Sequence, residues 1–136
     1  MKKLKRRSDC PTSNTLDLLG DKWTFLLLRD MFFQDKSRYG QFLTSDEKIA
    51  TNILADRLEL MEEHGLVKTK VCAENKSHNE YIPTAKAVDL LPILAEMMIW
   101  GSKYFDKTIT IPTDLLKKLK RDKEGTLKEY AAKFRK

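Results

Sequence analysis

The stretch EKIATNILADRLELMEEHGLVKTK, residues 47 to 70, constrains the fold more than any other part of the chain. Leu54, Leu58 and Met61 recur at helical spacing, so a helix here must lay one face on a core. Its opposite face opens with Thr51, Asn52 and Ala55, all small or polar, and carries Arg57 further along. After His64-Gly65 the pattern switches to Val67-Lys68-Thr69-Lys70-Val71, the two-residue alternation of a half-buried strand. Any fold for this chain must join an amphipathic helix with a bare leading edge directly to a basic strand.

The remaining elements follow from local signals. Ser13 or Asn14 is placed to cap a short helix through Leu19, which Gly20 ends. Asp21 caps a second helix, residues 22 to about 33, with Trp23, Leu26, Leu27 and Met31 at helical spacing. KSRYGQFL, residues 36 to 43, predicts a turn and a short helix with Tyr39, Phe42 and Leu43 inward. The polar run Thr44-Ser45-Asp46-Glu47 either leads into the next helix or caps it early. Residues 67 to 72 and 79 to 82 predict two strands joined by AENKSH, a polar hairpin tip. A long apolar helical pattern runs from Pro83-Thr84 to Phe105, and Pro92 should kink or split it. Pro112-Thr113-Asp114 starts another helix, interrupted at Gly125, with Thr126 placed to cap a last segment ending at Phe134.

A length of 136 residues suits one core, and no apolar run reaches the roughly 18 residues of a membrane span. The basic start MKKLKRRSDCP lacks an apolar segment after it, so a secretory signal is not expected and a cytoplasmic protein is. The net charge of +6 is unevenly spread. Residues 1–10 hold five Lys/Arg against one acid, residues 112–136 nine against four, and residues 11–111 twelve against fifteen. A polyanion-binding surface must therefore come from local patches, helped by the ends. Cys10 and Cys72 are too few for a disulfide scaffold and have no metal-ligand spacing with His64 or His78, so no metal or cofactor is expected. Two isolated histidines without a nucleophile or a Gly-rich phosphate loop argue against an enzyme.

Helix, tight connection, second helix and hairpin together predict a mainly α winged helix-turn-helix fold with a small β-hairpin. In that fold the second helix enters the DNA major groove and the hairpin, the wing, reaches the flanking backbone. Asn52 offers a paired hydrogen bond to adenine, and the methyl groups of Thr51 and Ala55 suit thymine. Arg38, Tyr39 and Lys48 flank the turn with Lys36, while Lys68, Lys70, Lys76 and His78 place donors on the wing. Such cations on phosphate position the protein rather than specify sequence. Glu59, Glu62 and Glu63 restrict DNA contact to the front of the helix.

The blocks CPTSNTLDLLGDKWTFLLLRDMFF, SRYGQFL, IATNILADRLELMEEHGLV and EYIPTAKAVDLLPILAEMMIWGSKYF, in that order, closely resemble the HxlR-type, MarR-like family of bacterial winged-helix transcriptional regulators. The resemblance runs from about residue 8 to residue 105 and departs from the family at Ala87 and in the wing sequence Asn75-Lys76-Ser77-His78. It implies a homodimer on an inverted repeat in double-stranded DNA, with Thr51, Asn52 and Arg57 on the recognition helix. Arg57 has a second reading, as an ion-pair partner of acids near Glu59 or on the preceding helix. The expected organisation is a winged-helix domain over residues 1–107, dimerisation helices included, and a basic helical extension over 108–136. The small-molecule effector, if any, is unknown.

The helix through residues 84 to 105 is too apolar to serve one core alone, which places Leu91, Leu94, Met97, Met98 and Trp100 at a dimer interface. Leu16 and Leu19 of the first helix join them. Cys10 lies among five basic residues, which would favour its thiolate. Family members that use a cysteine at this Cys-Pro position make it a candidate redox or electrophile sensor, against the alternative of an inert thiol. The competing overall reading is a winged-helix protein-interaction module without specific DNA binding, supported by the acidic middle of the chain.

Overall fold

Asp21 starts the architecture. Its carboxylate accepts hydrogen bonds from the Trp23 and Thr24 amides at 3.1 Å each and from the Thr24 hydroxyl at 2.7 Å. These satisfy amides that the first turn of helix α2 (Lys22–Phe33) cannot pair internally. Helix α1 (Pro11–Leu19) precedes it and begins earlier than its sequence predicts. Cys10, not Ser13 or Asn14, is the N-cap, because Pro11 has no amide proton to lose and fits the first helical position.

The computed structural model describes residues 6–72, 78–105 and 113–134. The described chain packs as two units that divide between Thr84 and Ala85. The first holds α1, α2, α3 (Tyr39–Phe42), α4 (Thr51–Glu63) and an antiparallel hairpin, β1 (Val67–Val71) with β2 (Asn79–Pro83). Its core gathers Leu27, Leu28, Met31, Phe32, Phe42, Leu54, Leu58, Met61 and Leu66. Each is at most 2% exposed, worth about 1.5–3 kcal/mol per side chain against exposure.

The abrupt change from helix to strand has a local cause. His64 ends α4, and Gly65 takes φ 73, the left-handed conformation that favours glycine. The Leu66 amide then donates to the Met61 carbonyl at 2.8 Å and the Gly65 amide to Glu62 at 3.1 Å, the paired bonds of a Schellman stop. Leu66 and Val67 turn inward at once, and β1 begins. The free edge of β2 is engaged too, since the Tyr81 amide donates to the Ser37 carbonyl at 2.7 Å and Arg38 bridges Glu80.

The second unit holds α5 (Ala85–Val88), α6 (Leu91–Tyr104), α7 (Thr113–Arg121) and α8 (Lys123–Ala132). Pro92 splits the long pattern into two helices, as its sequence predicts, by sitting in the first turn of the second. The break in the tail falls at Asp122 rather than Gly125. Asp122 caps α8 by accepting from the Gly125 amide at 3.1 Å, and a Cβ at Gly125 would collide with that carboxylate. Thr126 is buried, its hydroxyl donating to the Asp122 carbonyl at 2.7 Å, so it packs within the helix instead of capping it. Leu115 and Leu119 bury one face of α7. Among the described residues no helix is long and apolar enough to cross a membrane.

Candidate nucleic-acid interface

Helix α4 is fixed at both ends and along one side. Leu54 and Met61 are fully buried and Leu58 is 2% exposed, which leaves Thr51, Asn52, Ala55, Glu59 and Glu62 on the outer face. At its front the Tyr39 hydroxyl donates to the Thr51 carbonyl at 2.6 Å, tying α3 to the first turn of α4. Tyr39 is half-buried. Along the side, the Arg57 guanidinium lies 3.0 Å from Asp21 and 3.0 Å from Asp56. Arg57 thus links α4 to the cap of α2, a counter-ion 36 positions away that no local spacing could reveal.

No side chain caps α4, whose N-cap is Ala50. The polar residues before it are engaged elsewhere. Glu47 clamps Arg29 with two hydrogen bonds of 2.8 and 2.9 Å. Arg29 also donates to Asp30 at 2.7 Å, and the Ser45 hydroxyl donates to the same carboxylate at 2.6 Å. Asp30 is 2% exposed, so this network pays its desolvation with several charge-assisted bonds. Arg29 holds the Glu47 carboxyl below its usual range, and Glu47 in turn raises the Arg29 guanidinium. Lys36 donates to Ser45 at 2.6 Å, so it belongs to the network and not to a phosphate-facing set. Lys48, exposed, takes φ 55 as the chain turns into α4, a conformation costing a non-glycine residue about 1 kcal/mol.

On the wing, Thr69 pairs with Tyr81 in register, and the Thr69 hydroxyl donates to Glu62 of α4. Lys68 and Lys70 alternate with Thr69, so both stand exposed on the opposite face of the hairpin. His78 is exposed at the base of the tip, its carbonyl accepting from the Cys72 amide at 2.9 Å. Lys76 lies outside the described residues. Arg38 is half-buried at the start of α3.

Cys10 is exposed and Cys72 buried. The Thr12 and Ser13 amides at the start of α1 hold the Cys10 thiol below its ordinary value. Of its basic neighbours, Arg6 pairs with Asp9 at 3.2 Å and Arg7 with Asp17 at 2.6 Å. The apolar residues expected at a dimer interface divide in two. Leu19, Leu91 and Leu94 are buried within the chain itself and serve its own packing. Leu16, Met97 and Trp100 are 50–58% exposed, Met98 is half-buried, and Ile93, Tyr104 and Phe105 add further exposed apolar surface.

A core-anchored helix with a bare front, joined to a basic hairpin, defines a winged helix-turn-helix DNA-binding regulator. A family model described as HxlR-like helix-turn-helix matches residues 18–109, and the chain belongs to that family. It is similar to an uncharacterised HTH-type transcriptional regulator of Synechocystis, sll1512, with 34% identity over 98 residues, covering 72% of each protein. Among solved structures it is similar to PA1607, a candidate transcription factor, at 41% identity and TM-score 0.65, covering 74% of this chain and 68% of that one. The redox regulator HypR in its oxidised form is similar at 30% identity and TM-score 0.63, covering 71% of this chain and 99% of that one. The protein is a transcriptional regulator and not an enzyme.

Proposed function

We propose that the protein binds, as a homodimer, an inverted-repeat operator in double-stranded DNA and reads bases with the first two turns of α4. The observation that carries this reading is the leading edge of that helix, where Thr51, Asn52 and Ala55 are exposed while the other face is locked into the core. Asn52 pairs with an adenine edge, and the Thr51 and Ala55 methyl groups meet thymine. Lys48, Lys68, Lys70 and His78, with Arg38 at the turn, contact phosphate and set the register. The exposed apolar side of α6, with Leu16 of α1, meets the second copy. Residues 108–136 are a basic extension of the winged-helix domain. Two-fold symmetry then sets the recognition helices about 34 Å apart, one turn of DNA.

An operator selected from a random pool provides the test. Asn52→Ala should cost about 1–3 kcal/mol of operator affinity and leave affinity for random duplex unchanged. Unchanged operator affinity would move the base-reading surface away from α4.

Cys10 is the redox- or electrophile-responsive site of this regulator. Its exposure, its place at a helix N-terminus and the similarity to a regulator named for redox response support the reading. Oxidant should change the DNA affinity of the wild-type protein, and Cys10→Ser should abolish that change. A wild-type protein indifferent to oxidant leaves Cys10 a surface thiol.

A further inference from the structure

The cleft between α4 and the hairpin is built for something other than DNA. Glu59 and Glu62 line it, and a phosphate backbone entering there would meet like charge. These carboxylates do not stand alone. Tyr39 and Tyr81 share the lining, Ala55 adds exposed apolar surface over the buried Leu58, and Thr69 and Asn79 contribute hydrogen-bonding groups. The open cleft offers about 310 Å³, at the low end of small-molecule sites (roughly 300–1,000 Å³).

We propose that this cleft binds a small organic cation, an amine or quaternary ammonium with an apolar or aromatic body, and that its occupancy opposes DNA binding. Negative charge and tyrosine ring faces both attract a cation, and the apolar surface takes the body of the ligand. Burial, and then the Glu62 charge, push the Tyr81 hydroxyl up, so the ring stays neutral beside that carboxylate. Glu62 also accepts the Thr69 hydroxyl that ties β1 to α4. A cation pairing with Glu62 competes with the Thr69 hydroxyl, one of the ties between wing and recognition helix. The binding claim stands on the cleft alone, whereas the regulatory claim rests on the DNA-binding reading.

Calorimetric titration of the full chain without DNA tests the first claim, using benzyltrimethylammonium and, as a ring-bearing anion, phenylacetate. The ammonium should bind saturably at one site per chain and phenylacetate should not bind. Glu59→Gln/Glu62→Gln, with an unchanged circular dichroism spectrum, should weaken the ammonium at least about tenfold. Tyr81→Leu should weaken it separately from the carboxylates. Absent saturation, equal binding of the two probes, or undiminished binding by the glutamine variant overturns the site. For the second claim, saturating ammonium should lower DNA affinity by the factor by which DNA lowers ammonium affinity. Ammonium binding that leaves DNA affinity unmoved keeps the site and overturns its regulatory role. A protein that binds no DNA even without ligand refutes the DNA reading and leaves the calorimetric result intact.

Discussion

Helices α4 and α6 are nearly the same length, 13 and 14 residues, and each buries one face, yet they leave opposite surfaces in water. On α4 the outer face is Thr51, Asn52, Ala55, Glu59 and Glu62; on α6 it includes Ile93, Met97 and Trp100, with Tyr104 and Phe105 at its end. The three aromatic rings cluster, with Trp100 5.3 Å from Tyr104 and 5.7 Å from Phe105 between centroids. A polar face already satisfied by water gains from a partner only through directed hydrogen bonds and charge, which suits a groove edge. An exposed apolar face gains from any complementary apolar surface, at roughly 25 cal/mol for each Å² removed from water. The inner faces of the two helices are buried, and their outer faces differ in kind, one polar and one apolar.

That contrast can be broken at several strengths. The largest effect should come from the buried side of α4. Leu54→Ala removes a fully buried side chain and should cost about 2–5 kcal/mol in chemical denaturation. A loss below about 1 kcal/mol would mean that α4 is not anchored as described. Next comes the outer side of α6: Trp100→Ala should leave the unfolding of the monomer nearly unchanged but weaken self-association by about 2 kcal/mol, seen by sedimentation. Equal self-association of variant and wild type would remove the division of labour between the helices.

The smallest effect concerns the turn that feeds α4. The Glu47 carboxyl is held low in the folded protein by Arg29, so its stabilisation is present above the ordinary glutamate value and fades as pH falls through the lowered one. Wild type and Glu47→Gln should therefore differ in stability near neutrality and converge in acid. The gap should be no more than about 1 kcal/mol, because Glu47 is 38% exposed and solvent screens the pair. A gap that widened in acid would contradict the clamp.

Much of this was legible in the residues. The bounds of α2, the buried triad of α4, the hairpin and the split at Pro92 each follow from a signal contained within one element. Asp21 as a cap is equally local. What sequence could not show were charges whose partners lie far along the chain. Ser45 and Glu47 resemble early caps for α4, but Asp30 and Arg29 claim them. Arg57 finds its counter-ion in Asp21, far back along the chain. The lowered Cys10 thiol owes part of its shift to where α1 begins, and Pro11 moves that start. For the same reason Leu19, Leu91 and Leu94 could not be told from interface residues: helical periodicity marks a face as apolar without saying which core receives it.

The Asp21 carboxylate has a consequence for inheritance. One oxygen accepts two amides of α2 and pairs with the guanidinium of α4, so the start of one helix and a link to the other meet at a single atom. Positions 21 and 57 are therefore not free to drift separately. A lineage that loses the acid uncaps α2 and leaves Arg57 to Asp56 alone, and one that loses the arginine keeps a good cap but gives up the link between α2 and α4. Exchanges at these two sites should appear together, with the arginine position the more permissive of the pair.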